Sequence, residues 1–285
     1  MEFFKKIFGL VGKLDEPGLG YEPSPFSKML AIEKKSDYKP ISFLKKYRGN
    51  KKVLMICTEQ RYMLMENGKK FSSGNHPVEA CQPIMHLVNA GFDFDVATPS
   101  GKPACIEMWA LPSEDKVMLD FFNNVAKPKL DNPKSLESIL DNSEELESYV
   151  CFFVPGGQGA MLGLPDDQNM DKLLHHIKEN DLVLMSVCHG PAALLAAKST
   201  PHPFAGYRIA AFPDSIDKQT PMIGYLPGKQ TWYFGEKLIE KNITIVNKGA
   251  DDTCVVDRKL ITGASPKACQ ELGQKSAEML LKTYA

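Results

Sequence analysis

Leu182-Val183-Leu184-Met185-Ser186-Val187-Cys188-His189-Gly190-Pro191-Ala192-Ala193-Leu194-Leu195-Ala196 is the stretch that decides how the chain is read. A short apolar run ends at Cys188, Gly190 permits a tight turn, and Pro191 ahead of an Ala/Leu series has the form of a helix start. The pattern predicts a strand, a sharp elbow and a helix. A cysteine at such an elbow lies at the carboxyl end of a buried strand and faces a helix N-terminus, where backbone N–H groups and the helix dipole favour thiolate over thiol. With His189 next in the chain, thiol and imidazole come together as in a cysteine nucleophile, although adjacent side chains ordinarily point apart. The competing reading is a buried cysteine that merely fills core space; the elbow favours the functional one. Cys188 is therefore expected to be the most acidic and most reactive of the seven cysteines.

Working outward, residues 52–57 and 149–154 are continuous apolar runs, the mark of strands buried on both faces of a parallel sheet. Residues 92–98, 208–211, 243–246 and 259–262 read as further strands, and 170–179, 232–241 and 266–283 as helices. Asn75 and Pro77 supply the cap and first turn of a helix that runs to about Ala90 and is stopped by Gly91. Strands alternating with helices predict an α/β fold: a doubly wound, flavodoxin-like parallel sheet with helices on both faces and a ligand site at the carboxyl ends of the strands. Residues 1–48, with weak periodicity, form an N-terminal arm with a short helix at its start, and residues 49–285 the core domain. Within the core, residues 99–147 carry Pro103, Pro112, Pro128 and Pro133 and no clear strand; this stretch reads as an inserted lid subdomain over the site.

With 34 basic and 35 acidic residues the net charge is -1, so nothing in the charge favours sequence-specific nucleic-acid binding or an anionic membrane surface. No stretch approaches the ~20 apolar residues of a membrane span. The cysteines are scattered without CxxC spacing, which argues against a disulfide framework or structural zinc and for a reducing, cytoplasmic setting. Phe3, Phe4, Ile7 and Phe8 in the arm are apolar for a solvated tail, and they suggest packing against a second subunit in a homodimer.

Glu79 falls in the first turn of the helix after the first strand, where a charge complementing the helix dipole is one reading. Gly157 ends its strand beside the elbow and His189 follows Cys188, so their backbone N–H groups are candidate oxyanion donors. His76, just before the Glu79 helix, is placed at the pocket. His86 invites a metal reading, but one histidine on a helix is usually just packed.

Ser186-Val187-Cys188-His189-Gly190-Pro191-Ala192-Ala193, together with Val154-Pro155-Gly156-Gly157-Gln158-Gly159-Ala160, resembles the PfpI-like, class I amidotransferase-like superfamily. Ser73-Gly74-Asn75-His76-Pro77-Val78-Glu79 and the stretch from Ala211 to Pro221 are similar to its glyoxalase III and protein deglycase subfamily, the HchA heat-shock chaperones. The resemblance implies Glu79 beside a Cys188 nucleophile, and Asp217 rather than Asp214 as the partner of His189. Members of the subfamily can hold a metal on His/Glu/His; the matching positions here are Val88, Asp93 and Val125, so no metal site is expected. The implied activity is glutathione-independent, cofactor-free conversion of methylglyoxal or glyoxal to lactate or glycolate. Deglycation of proteins and nucleotides, DNA repair in that sense, and a stress-response chaperone role accompany it, and the implied partners are small α-ketoaldehydes and glycated proteins or nucleotides. A cysteine peptidase or aminopeptidase, and a holdase chaperone with a redox-sensing cysteine, are the rival readings.

Overall fold

The structure, a computed structural model, describes residues 9–285. The expected helix at the start of the arm, and the apolar residues Phe3, Phe4, Ile7 and Phe8, lie outside the described residues. Strands β1 (Lys52–Ile56), β4 (Asp93–Thr98), β5 (Lys134–Ser135), β6 (Tyr149–Val154), β7 (Val183–Val187), β10 (Cys254–Asp257) and β11 (Leu260–Gly263) form one sheet in the order β10-β11-β7-β6-β1-β4-β5. Every neighbouring pair is parallel except β10 with β11. The central position of β1 explains its apolar run, because both of its faces are covered. Leu54 and Ile56 point to one side, where the helix Gln168–Glu179 and the segment Gly190–Ala196 pack. Val53 and Met55 point to the other, against the helices Pro77–Asn89 and Cys269–Tyr284. This is the doubly wound α/β architecture with helices on both faces.

Several local expectations are corrected. Residues 208–211 and 243–246 do not extend the main sheet; β8 (Arg208–Ile209) and β9 (Thr244–Ile245) pair with each other in a two-stranded parallel sheet. A hairpin of β2 (Tyr62–Leu64) and β3 (Lys70–Ser72) joins through Gly68, whose φ of +77° suits glycine. Asn75 does not cap the following helix. Its side-chain oxygen instead accepts the Thr58 N–H, and its amide donates to the carbonyls of Thr58 and Cys105, so it ties three loops together. The segment after the elbow is a 3₁₀ turn, Gly190–Ala196, buried throughout. Its bonds close over three residues, as from Ala192 N–H to the His189 carbonyl.

Residues 99–147, expected as an inserted lid subdomain, are tied to the main sheet and also contribute Glu107 to the site. β5 pairs with β4 at the sheet edge, and Met118, Phe122 and Leu130 are buried in the layer below it. The arm packs along the core: Tyr47 stacks on Phe92 with ring centroids 4.4 Å apart, Tyr38 rests on His86, and the helix Pro25–Ala31 leads into the rim of the site.

Candidate active site

Cys188 follows the last residue of β7. Its N–H donates to the Gly263 carbonyl at the end of β11 at 2.8 Å, and its carbonyl accepts the N–H of Phe212, in the loop after β8, at 2.9 Å, so both backbone groups of the elbow are anchored. Between these anchors Cys188 adopts a φ of +59°, which strains a residue with a Cβ by about 1–3 kcal/mol. That strained turn overrides the usual divergence of adjacent side chains. The Cys188 Sγ lies 3.2 Å from His189 Nδ1, and His189 Nε2 lies 2.8 Å from Asp217 Oδ2. Asp217 is buried in the short helix Asp214–Asp217, and the imidazole stacks on Phe212. Asp214 is engaged elsewhere, since its carboxylate accepts the N–H groups of Gly235 and Glu236 at the start of the helix Phe234–Glu240. Burial pulls the His189 pKa down, but the adjacent Asp217 carboxylate outweighs it and raises it above the ordinary value.

The turn after β6 brings a second wall against the thiol. A Cβ at Gly156 would stand 2.3 Å from Glu79 Oε2 and 2.6 Å from the Cys188 Cβ, so only glycine lets these groups meet. Gly157, with a φ of +91°, turns its N–H toward the Cys188 sulfur and the Glu79 carboxyl, where it lowers the pKa of both. Glu79 is fully buried in the first turn of the helix Pro77–Asn89, and neither of its carboxyl oxygens has a close hydrogen-bond partner among the described residues. Burial pushes its pKa up to about 7, against the pull of the Cys188 thiol, the His189 imidazole and the Gly157 N–H. His76 immediately precedes this helix; burial holds its imidazole down at about 4, so it is neutral near pH 7.

The expectation of an acidic thiol is overturned. Burial, then the charge of Glu79, push the Cys188 thiol well above its ordinary value. A 3₁₀ turn has little of the dipole of a full helix to set against two nearby carboxyls. A nucleophilic sulfur here would be made by handing its proton to the neighbouring imidazole or carboxyl as it attacks, rather than by resting as a thiolate.

Glu79 also carries a stability consequence. Between about pH 4.5 and 7 it is protonated in the fold but ionised in the unfolded chain, so its contribution to stability falls as pH rises through that window, by about 1.4 kcal/mol per unit. Glu79→Gln is therefore expected to be more stable than wild type above pH 7, by about 3.5 kcal/mol, and level with it below pH 4.5. Urea denaturation at the two ends of the window reads this, and a difference independent of pH would contradict it.

These groups open onto one cavity of about 300 Å³, whose wall includes Cys188, His189, Glu79, Gly157 and His76. The arm adds Leu30, Ala31 and Glu33 to the rim. Two side chains absent from the sequence reading also face it. Tyr225 packs beside Phe71 and Trp109, and Glu107 is fully buried with its Oε1 accepting the Ser73 hydroxyl at 3.0 Å. The sequence signal for Glu107 is faint: one acid between Ile106 and Met108, carried to the site only because Ile106 bridges to Asn75. At the positions of the subfamily metal ligands, Asp93 is ion-paired with Lys129 at 3.1 Å, and Val88 and Val125 are partly exposed.

A family model, the DJ-1/PfpI family, matches residues 71–279. The chain belongs to the DJ-1/PfpI family. It is 43% identical over 263 residues to the protein/nucleic acid deglycase HchA of Escherichia coli, a match that covers 92% of this chain and 93% of that protein. Among solved structures, rapid encystment protein 24 kDa of Francisella tularensis superposes with a TM-score of 0.68 at 20% identity, covering 81% of this chain and 99% of that one. Glyoxalase III of Candida albicans does so with a TM-score of 0.62 at 23% identity, covering 82% and 98%. At those identities the two structures speak for the fold. Among the described residues no helix is long and apolar enough to cross a membrane.

Proposed function

We propose that the protein is a glyoxalase III and deglycase that converts α-ketoaldehydes to hydroxy acids and releases early glyoxal adducts from proteins and nucleotides. The observation that carries the reading is Glu79, a buried carboxyl with a pKa near 7 facing the thiol across Gly156, because isomerisation needs a group that both removes and returns a proton at carbon. The thiol of Cys188 adds to the aldehyde carbon, its proton passing to His189, and a hemithioacetal forms. Glu79 removes the proton from that carbon, and the neighbouring carbonyl carbon gains one, which gives a thioester of the hydroxy acid without external oxidant or reductant. Water, activated by His189, then cleaves the thioester and restores the thiol. The Gly157 N–H stabilises the oxyanion of the two addition steps. No step calls for a cofactor.

The relationship to a protein/nucleic acid deglycase supports the adduct substrates, and the cytoplasmic setting and homodimer remain part of the proposal. Cys188 is only 5% exposed, which suits an aldehyde or the tip of an adduct better than a peptide lying in an open groove. Comparing turnover of methylglyoxal with that of a fluorogenic peptide tests the reading: lactate formation with negligible peptide cleavage is expected, and the reverse would make the protein a peptidase.

A further inference from the structure

Glu107 is a second fully buried carboxyl on the cavity wall, and the chemistry above gives it no part. Its place is fixed by the backbone, since its N–H donates to the Asn75 carbonyl at 3.1 Å and Ile106 bridges to Asn75. Its two oxygens differ. Oε1 accepts the Ser73 hydroxyl at 3.0 Å, whereas Oε2 is buried with no hydrogen-bond partner among the described residues. Leaving such an atom unpaired costs about 1–3 kcal/mol, so an unpaired polar oxygen on a cavity wall is an opening for a ligand.

The charge state follows from what surrounds it. Glu79, Cys188 and Asp217 could each be negative, and His189 is the one imidazole paired with them. Four negative groups against one positive group cannot all be ionised in a cavity sheltered from water. Glu107, like the Cys188 thiol, is disfavoured in its charged form. Burial, then the Glu79 charge, raise its pKa well above the ordinary value, outweighing the Ser73 hydroxyl and the Gly74 backbone. Because Ser73 already donates to Oε1, Oε2 is the oxygen left free to carry an acid proton.

We propose that Glu107 is a substrate-orienting residue, a neutral carboxylic acid whose Oε2–H donates a hydrogen bond to the oxygen on the carbon next to the one attacked by Cys188. In an α-ketoaldehyde that oxygen is the ketone, and it takes on negative charge when the hemithioacetal loses its carbon-bound proton. A donor fixed there selects 1,2-dicarbonyls over simple aldehydes and holds the ketone in line for reprotonation. This rests on the function proposed above.

The test uses the full-length protein, methylglyoxal as probe, and the variants Glu107→Gln and Glu107→Leu. Glutamine keeps both bonds, an oxygen for Ser73 and an N–H for the substrate, so kcat/KM is expected to stay within about fivefold of wild type. Leucine offers no donor, and kcat/KM is expected to fall by about 10- to 100-fold. The pH profile supplies a readout that a structural role would not move. An ionised Glu107 would raise the pKa of Glu79, so its removal in Glu107→Gln would shift the rising limb to lower pH; a neutral Glu107 leaves that limb in place, as expected here. The inference is overturned if glutamine loses as much activity as leucine, which would make Glu107 a proton-transfer group, if leucine is as active as wild type, or if the limb moves in Glu107→Gln. Should Glu107→Leu fail to fold, the activity and limb of Glu107→Gln still decide. A wild-type protein inactive on methylglyoxal would instead sink the function proposed above, and this inference with it.

Discussion

Cys188→Ala is expected to lower methylglyoxal turnover by at least about 10⁴-fold, the scale of loss when the nucleophile of a unit acting together is removed. The structure gives the reason, because the other six cysteines cannot substitute. Cys57, Cys81, Cys151 and Cys269 are buried in the core on the Val53 side of the sheet, burial raises the pKa of each, and none borders the cavity. Cys105 and Cys254 are more accessible but stand outside the cavity wall. Alanine keeps the Cβ at the strained φ of +59°, so the elbow is not relaxed as it would be by glycine, and stability is expected to change by less than about 1 kcal/mol. The same variant separates the classes of function. A holdase working through exposed apolar side chains such as Met29 and Leu30 would suppress aggregation without the thiol, whereas the enzyme loses turnover. Retention of methylglyoxal turnover in Cys188→Ala would remove sulfur from the chemistry.

What the sequence made legible follows from burial. β1, β6 and β7 are covered on both faces, so they appear as unbroken apolar runs, and three such runs separated by helical patterns leave little choice of architecture. β10 was missed because it is a half-exposed antiparallel edge strand with Asp257 at its end, and β2 and β3 because three residues are too few to show a period. At the site, the Cys188 elbow could be read from the strand–turn pattern, but the contact between Cys188 and His189 depends on a positive φ that no residue type announces. Spacing alone did not choose between Asp214 and Asp217, which share one turn; the resemblance favoured Asp217, and the structure pairs it with His189. The acidity of the thiol was misjudged because a helix N-terminus is visible in sequence, whereas the facing of Glu79 and Cys188 across Gly156 is a tertiary fact. Glu107 went unseen for the same reason.

The second large effect concerns Glu79 and separates an isomerase from a generic cysteine hydrolase. Amide or ester cleavage can proceed with the thiol, His189 and Asp217 alone, but moving a proton between the two carbons of an α-ketoaldehyde needs a further base close to the sulfur-bound carbon. Glu79 meets both requirements: it reaches the thiol across Gly156, where a Cβ would clash with both groups, and burial puts its pKa near 7, where it can accept and return a proton at neutral pH. Glutamine preserves its volume while removing that capacity. It also removes the charge that raises the thiol, so Cys188 in Glu79→Gln should be alkylated by iodoacetamide at least as fast as in wild type. The decisive measurement is lactate formation from methylglyoxal by Glu79→Gln, with Cys188 alkylation followed in the same preparation. A fall in turnover of about 100-fold or more with an undiminished thiol is the predicted result; near-wild-type lactate formation would contradict it, assigning the proton transfer to His189 and leaving Glu79 as a charge at the start of its helix.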